Sequence, residues 1–462
     1  MKRFVILLLM VCAIGCNKLI DVGDPDNSAI GKNIFAHDTS ALSAVSGIYA
    51  RIMLFYPNIL NGGLSVCAGL SADEIQPNST GNNFQEFYVN SVLPNSYFNR
   101  IYLWSCAYTL IYQTNACMEG ILNSTKISDD VGNQLLGEVY FIRSLIYFQM
   151  IQIYGDVPLV LSTDYETNAR LNRTATSVIY NQIREDLLKA TGLLNDNYPS
   201  SNRARVNKWA AKALLAKLYL FEGEWTDAES ASGQVINAGP YKLEKDFNKI
   251  FLFDSKEAIL QFIPTENGYN STEGAQFVPI LSGTSLPQYS LTGTLLNAFE
   301  KADKRATNWV GKKVVNGVTY TFPYKYKLRV NFGPTYAVTE YNMVLRLAEQ
   351  YLIRAEARAH LGDRAGAIND VDSIRSRAGL PLFSATNPDI DLNDLLIAIQ
   401  KERQVELFTE WGSRWFDLKR TMTATSILRI RKSSWEDTDT LYPVPDAEIK
   451  LNPNLIQNPG YN

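Results

Sequence analysis

Three glutamates near the C-terminal end of the sequence have the spacing best suited to chemistry. Glu402, Glu406 and Glu410 are four residues apart, so on a helix they would share one face and two carboxyl groups could lie within several ångströms. A pair of carboxyl groups at such a separation is what a glycosidase uses, one as the acid and the other as the nucleophile or base. The spacing therefore raises the hypothesis of a surface glycosidase that uses Glu402 and Glu406.

The residues around these glutamates favour a structural role instead. Trp411 and Trp415 are typical of a packed helix end rather than of an open cleft. We also expect Arg414 and Asp417 to pair with each other. Three arginines close in sequence can neutralise the glutamates: Arg403, Arg414 and Arg420. The pattern thus predicts an ion-pair network, and we expect the protein not to be an enzyme.

The rest of the sequence offers few groups for acid–base or metal chemistry. Histidine occurs only twice in 462 residues, at His37 and His360, and no zinc-ligand spacing, phosphate-binding loop or nucleophile elbow is present. A net charge of −3 without a local block of Lys and Arg argues against nucleic acid as a partner. We expect no metal and no cofactor. Three irregularly spaced cysteines are expected to be free thiols: Cys67, Cys106 and Cys117.

The N-terminal residues predict export and a lipid anchor. Two basic residues precede an apolar run that is too short to span a bilayer. The run ends in Ala13-Ile14-Gly15-Cys16, which resembles the site where bacterial lipoprotein signal peptides are cleaved and the cysteine is lipidated, although alanine replaces the usual leucine. We therefore predict a signal peptide at residues 1–16, lipidation of Cys16, and a tether with a loop at residues 17–39. A plain secretory signal is the alternative.

The elements that would position the glutamates are helices, and the most regular of them form a repeated pair. In residues 347–381, apolar and small residues recur at helical spacing on both sides of Gly362, which indicates two antiparallel helices joined by a short turn. Residues 209–239 repeat the pattern, because the offset of 139 residues that aligns Gly223 with Gly362 also aligns Ala216 with Ala355. A tetratricopeptide-type hairpin cannot bury its apolar face alone, so the second copy supports an internal repeat.

Further helices alternate with irregular stretches. Two stretches lose helical periodicity and are rich in turns and aromatic residues, residues 74–100 and 265–326. Irregular segments of this length inside a domain usually carry function. We therefore predict a mainly α-helical fold with irregular loops and a few short strands, in one domain over residues 40–462. The further helices are predicted at residues 40–53, 101–122, 131–153, 177–194 and 392–409.

Four segments together resemble the SusD/RagB family of surface nutrient-binding lipoproteins. They are YFIRSLIYFQMIQIYGDVPLV (140–160), VLRLAEQYLIRAEARAHLGD (344–363), ERQVELFTEWGSRWFDLKR (402–420) and LYPVPDAEIKLNPNLIQNPGY (441–461), and Asp303-Lys304-Arg305 is similar to the family's D-x-R element. The resemblance implies a mainly α-helical SusD-like fold, with tetratricopeptide hairpins facing a transporter and ligand-binding loops elsewhere. It also implies a lipoprotein of the outer membrane that faces the cell exterior and passes glycans, or sometimes peptides, to a SusC-like TonB-dependent transporter.

The binding site can be predicted from what a sugar requires. A sugar ring has an apolar face of C–H groups that stacks on flat aromatic rings, while its hydroxyl groups bond to amide, carboxylate and guanidinium groups. The two irregular stretches hold aromatic residues among polar ones such as Asn82 and Asn83. We predict four stacking residues: Trp309, Tyr289, Tyr88 and Tyr97. A peptide ligand is the alternative, and it would require acidic or backbone-like hydrogen-bonding pockets in place of exposed rings.

Overall fold

Long α-helices form the frame of the structure, a computed structural model that describes residues 34–461 except residues 55, 80, 82, 83, 267 and 331–336. Their apolar residues recur at helical spacing, which is why the sequence pattern located them. The long helices are α1 (Asp38–Ile52), α2 (Cys106–Leu122), α3 (Asp129–Tyr154), α4 (Thr176–Leu193), α5 (Lys208–Glu222), α6 (Trp225–Ala238), α7 (Leu347–His360), α8 (Arg364–Ala378) and α9 (Leu392–Glu406).

These helices stack in chain order. Each packs against the next from α1 to α8, and α9 packs across α7. Serial packing of neighbouring helices is the arrangement that repeated helical hairpins produce. The centre of the stack is α3, which is apolar nearly all round and is buried along most of its length. The predicted fold class is confirmed: the protein is mainly α-helical, with helical hairpins of the tetratricopeptide type and few strands.

The two predicted hairpins are the pairs α5–α6 and α7–α8. Their turns contain Gly223 and Gly362, whose φ angles of +75° and +82° lie in the left-handed region that favours glycine. Ala216 and Ala355 are fully buried at equivalent positions of the two hairpins. Because these side chains are small, the paired helices can approach each other closely. The sequence offset of 139 residues therefore corresponds to a repeated structural unit.

Short antiparallel strand pairs lie between the helices. In the described residues, β1 (Ile75–Pro77) pairs with β3 (Tyr289–Leu291), β2 (Ala258–Phe262) pairs with β6 (Asn342–Arg346), and β4 (Val310–Val315) pairs with β5 (Val318–Pro323). The last pair is a hairpin closed by Asn316 and Gly317, both with positive φ, as a tight two-residue turn requires. The β1–β3 pair has a larger consequence, because it joins the two irregular stretches that the sequence analysis singled out.

Short α-helices, two 3₁₀ helices (Ser201–Arg203 and Asp437–Thr440) and one π-helical segment complete the described elements. No described helix is both long and apolar enough to cross a membrane. The predicted signal peptide, the lipidated Cys16 and the tether as far as residue 33 lie outside the described residues, as do Asn82 and Asn83. The short α-helices are Gly63–Ser71, Gln85–Tyr88, Tyr165–Asn168, Thr272–Phe277, Gly293–Ala298, Lys304–Asn308, Phe383–Thr386, Ser413–Arg420, Ala424–Leu428 and Asp446–Leu451, and the π-helix is Asn99–Ser105.

Candidate functional site

Glu402 and Glu406, the residues of the glycosidase hypothesis, are buried in ion pairs. Arg305 Nη1 lies 2.5 Å from Glu402 Oε1 and 3.1 Å from Glu406 Oε2. Glu406 also accepts from Arg346 at 2.6 Å and from Arg377 at 2.5 Å. Burial alone would raise the pKa of Glu406, but Arg377, Arg346 and Arg305 outweigh it and hold that pKa well below its ordinary value. A carboxylate locked in this way cannot exchange protons with a sugar, so the glycosidase hypothesis is wrong for these residues.

The predicted ion-pair network exists, but most of its cations come from distant parts of the sequence. Glu410, which lies in the turn after α9, pairs with Lys325 and with Arg346 rather than with an arginine close to it in sequence. The expected pair of Arg414 with Asp417 is also wrong. Arg414 bonds to Asp73 at 2.9 Å. Asp417 instead bonds to two other arginines, Arg403 at 2.8 Å and Arg420 at 2.7 Å.

Trp309 does not offer a ring to a ligand. Its side chain is fully buried, edge-on to Phe247 and Phe251 with ring centroids 5.1 and 6.0 Å away. The Lys325 ammonium group lies 4.8 Å from the Trp309 ring centroid, within the range of a cation–π contact. The ring therefore forms a wall of the buried ion-pair network. The prediction that Trp309 is a stacking platform does not agree with the structure, because the segment around it folds inward instead of forming an exposed loop.

The three predicted tyrosines have different surroundings. Tyr289 lies in β3 and is fully buried between Phe84 and Phe277, so it does not present a ring face either. Tyr88 is half-buried and has the Lys432 ammonium group 5.4 Å from its ring centroid. Tyr97 is 62% exposed and is therefore available to a ligand. Of the four predicted stacking residues, Tyr97 best meets the requirement for an open ring.

Tyr97 belongs to a cluster of three tyrosines on the surface. The Tyr97 and Tyr102 ring centroids are 5.9 Å apart, and those of Tyr102 and Tyr56 are 5.2 Å apart. Tyr56 is 38% exposed. Partial desolvation and then the neighbouring hydroxyl of Tyr97 raise the pKa of Tyr102, so the Tyr102 phenol stays protonated and can donate a hydrogen bond. We call Tyr56, Tyr97 and Tyr102 the tyrosine platform.

Local backbone structure positions the middle ring of the platform. Tyr102 lies in the π-helix Asn99–Ser105, which leads directly into α2. The Tyr102 carbonyl accepts from the Ile59 amide at 3.0 Å, and this bond attaches the segment that follows Tyr56 to the helix. π-Helical turns are rare and occur frequently at functional sites, because they alter the direction of nearby side chains. The platform thus depends on an irregularity that helical periodicity does not reveal.

A chain of aromatic rings connects the platform with the buried Tyr289. The Tyr102 centroid is 4.9 Å from that of Phe98, Phe98 is 4.5 Å from Phe84, and Phe84 is 6.4 Å from Tyr289. Rings at these separations and tilts attract each other through their edges and faces. Tyr97 and Tyr289, both predicted to contact ligand, therefore belong to one aromatic system. Tyr97 is at the end of this system that is open to solvent, and Tyr289 is at the end that is buried in the core.

The two irregular stretches meet beside this chain of rings. In the β1–β3 pair, Pro77 is opposite Tyr289, and Asn78 Nδ2 donates to the Pro287 carbonyl at 2.8 Å. A groove of about 310 Å³ opens there, next to Phe84. Its polar groups can bond to hydroxyl groups, and its apolar ones can contact C–H faces. The groove is lined by Asn78, Ser79, Gly81, Phe84, Leu286, Pro287 and Gln288.

Tyr56 and Tyr102 were missed by the sequence analysis for different reasons. Tyr56 lies four residues after the end of α1 and before the irregular stretch at residues 74–100, and Tyr102 falls inside a predicted helix. A tyrosine just beyond a helix end, followed by Pro57 and Asn58, is a signal that could have identified Tyr56. Tyr102 gave no local signal, because the helical periodicity around it does not distinguish the π-helix in which it lies from an ordinary α-helix.

The described residues contain no group of three or more His, Cys, Asp or Glu side chains that could hold a metal ion. Cys67, Cys106 and Cys117 are free thiols, as predicted. Burial raises the pKa of Cys106 to about 11 and that of Cys117 to about 12. These thiols are therefore protonated at neutral pH and are poor nucleophiles.

Comparison with known proteins gives a consistent result along the chain. A family model described as "SusD family" matches residues 297–461, and a second, described as "Starch-binding associating with outer membrane", matches residues 70–220. SusD-like protein P25 of Formosa agariphila is 23% identical, with 99% of this chain and 98% of the relative covered. SusD-like protein P2 of the same organism is 25% identical, with both chains fully covered.

Solved structures show the same fold. A SusD superfamily protein from Bacteroides vulgatus superposes with a TM-score of 0.80 at 20% identity, covering 93% of this chain and all of that one. A structure named "Laminarin binding SusD-like protein" superposes with a TM-score of 0.75 at 23% identity, covering 92% of this chain and all of that one. The solved structures show the fold, and the two family models together with the relatives matched over their full length show that the chain belongs to the SusD/RagB family.

Proposed function

We propose that the protein is a non-catalytic receptor of the cell surface that binds oligosaccharides and delivers them to a SusC-like TonB-dependent transporter. The observation that carries the proposal is the tyrosine platform, three neighbouring rings at the surface that connect through Phe98 and Phe84 to a groove with polar and apolar walls. Sugar rings stack on such faces, and phenol groups bond to sugar hydroxyls at the same time. The family matches to starch-binding proteins and to a laminarin-binding relative support the same ligand class.

The tilt of the rings favours particular glycans. The Tyr56 and Tyr102 ring planes meet at 50°, and those of Tyr97 and Tyr102 at 81°. A flat ribbon such as a β-1,4-glucan contacts only one of these faces at a time. Chains that curve between sugar units, such as β-1,3-glucans and α-1,4-glucans, can turn from one face to the next. We therefore expect curved glucans to bind more tightly than flat ones.

The proposed location is the outer membrane, with a lipid on Cys16 and the protein facing the exterior. Its support is the lipobox-like Ala13-Ile14-Gly15-Cys16 and the description of the matched family model. A Cys16→Ser variant should lose palmitate labelling and leave the membrane fraction. Palmitate labelling that persists in this variant would contradict lipidation at Cys16.

Calorimetric titration of lipid-free protein from Asn17 onward tests the binding proposal. We expect laminari-oligosaccharides or malto-oligosaccharides to bind, and Tyr97→Ala to weaken that binding about tenfold, or ~1.4 kcal/mol. Tyr165→Ala is the matched control, because Tyr165 is 75% exposed on the short helix Tyr165–Asn168 and is not in the platform. Equal affinities of the two variants would remove the platform from the site. Binding of peptides without any glycan would support the alternative of peptide capture and contradict the proposal.

A further inference from the structure

The turn that precedes Tyr97 has a defined structure. Ser96 N–H donates to the Leu93 carbonyl at 2.9 Å, and Pro94 occupies the second position, where proline favours a β-turn. Ser96 Oγ also accepts from the Asn99 amide at 3.3 Å, in the manner of a helix N-cap. Tyr97 is therefore the first residue of a capped helix, and its direction depends on how this turn is held.

The far side of this helix start is anchored in the core. Asn99 is fully buried, and its Nδ2 donates to the Pro443 carbonyl at 2.9 Å. Its Oδ1 accepts from the Tyr154 hydroxyl, at the end of α3, at 2.6 Å. The helix start thus has a fixed base on the central helix and on the C-terminal segment. The turn that carries Tyr97 projects from this base toward solvent.

The carboxylate of Glu86 holds both ends of the turn. Glu86 Oε2 accepts from the Leu93 amide at 3.2 Å, and Glu86 Oε1 accepts from Ser96 Oγ at 2.5 Å. Hydrogen bonds to an ionised acceptor are stronger than those between neutral groups. Asn99, Ser96 and Glu86 form a relay in which each donates to the next.

We infer that Glu86 is a positioning residue that orients Tyr97 for ligand, an inference that rests on the proposed glycan binding. Without the carboxylate, the Leu93 amide and the Ser96 hydroxyl form hydrogen bonds with water instead. The β-turn at residues 93–96 then adopts more conformations. A ligand must then order Tyr97 on binding, which lowers affinity without removing any direct contact. We expect Glu86→Ala to bind glycan about tenfold more weakly, as a loss of ~1.4 kcal/mol, and Glu86→Gln to be intermediate because one acceptor oxygen remains.

A double-mutant cycle separates positioning from direct contact and from general damage. The affinities of wild type, Glu86→Ala, Tyr97→Ala and the double variant are compared under conditions where all four are folded. If Glu86 acts through Tyr97, the double variant binds no more weakly than Tyr97→Ala. Additive losses would overturn the inference, as would full affinity of Glu86→Ala. Glu166→Ala is the control, since Glu166 is an exposed glutamate in the first turn of another short helix.

Hydrogen exchange of the ligand-free protein tests the inference without reference to any ligand. In Glu86→Ala, amides of residues 93–102 should exchange faster, while those of α5 and α6 should not change. Unchanged exchange in residues 93–102 would overturn the positioning role. If no glycan binds to wild type, the proposed function fails, and exchange still decides whether Glu86 orders the turn. If glycan binds to wild type and equally to Glu86→Ala, the inference fails and the proposed function stands.

Discussion

Arg305 Nη1 lies 2.5 Å from Oε1 of Glu402, and both side chains are buried. Arg305 is held in turn by Asp303, two residues before it, through bonds of 2.8–3.2 Å to its guanidinium group. The D-x-R element therefore supplies a cation that is already oriented by its own acidic partner. It connects the segment before β4 with α9, which carries Glu402 and Glu406. We conclude that this element is part of the scaffold.

Replacing Arg305 by leucine should destabilise the fold strongly. Glu402 and Glu406 would be left buried with less compensating charge, and breaking a buried ion pair on one side typically costs about 3–5 kcal/mol. Urea denaturation measures the change in the free energy of unfolding. Arg429→Ala is the control: Arg429 and Asp437 form a pair at 2.7 Å with side chains that are 60% and 64% exposed, so solvent screens the pair and we expect little change in stability. Equal losses in the two variants would contradict the role of the buried network.

Trp309→Ala should affect stability rather than binding. Removing a fully buried indole leaves a cavity among Phe247, Phe251 and Lys325, and substitutions of this kind cost about 3–5 kcal/mol. The measurements are urea denaturation and glycan titration of the folded fraction. Trp309→Phe retains most of the apolar volume and serves as the milder variant. Loss of glycan affinity in a stable, folded Trp309→Phe protein would show that this residue contacts ligand after all.

The frame of the fold could be predicted because it follows local rules. Apolar residues at helical spacing located α5 to α8, and the glycines at their turns marked where each helix ends. The charge partners could not be predicted in the same way. Residues four apart report on neighbours along one helix, whereas Glu406 finds Arg346 and Arg305, which are 60 and 101 residues away in sequence.

The candidate site was located only approximately for a related reason. Composition identified the stretches at 74–100 and 265–326, and the β1–β3 pair brings parts of both together. Exposure of each ring depends on tertiary packing, so Trp309 and Tyr97 look alike in sequence although one is buried and the other is open. Tyr102 depends in addition on a π-helix, which has no readable sequence period.

Gly137→Ala should destabilise the protein although alanine is the better helix former. A Cβ atom at Gly137, in the central helix α3, would lie 2.5 Å from Cγ of Leu194, which follows α4, so the Leu194 side chain or the backbone that carries it must shift. Overpacking of this kind costs about 1–3 kcal/mol. Gly47, within α1, has no atom near an added Cβ, and Gly47→Ala should stabilise the protein by about 1 kcal/mol. Urea denaturation of both variants checks the opposite signs; a gain in stability at Gly137 would show that the two elements are not in close contact.

Glu74→Gln should change how stability depends on pH. Burial raises the pKa of Glu74 to about 8, although the Thr409 amide, which donates to Glu74 Oε2 at 3.2 Å, lowers it in part. The other oxygen, Oε1, has no hydrogen-bond partner among the described residues. The native state therefore keeps a proton that the unfolded chain releases near its ordinary pKa of 4.5. Because the native state binds more protons in this window, raising the pH from about 5 to 8 destabilises the wild type.

Glutamine at position 74 is neutral throughout that window, so the variant lacks this contribution. The wild type should lose about 1 kcal/mol per pH unit relative to Glu74→Gln between pH 5 and 8, with the difference levelling off above the native pKa. Urea denaturation at each pH unit measures both curves, and Glu166→Gln, at an exposed site, should run parallel to wild type. Parallel curves for Glu74→Gln and wild type would mean that Glu74 is ionised in the native protein, and its buried oxygen would then require a cation or water as partner.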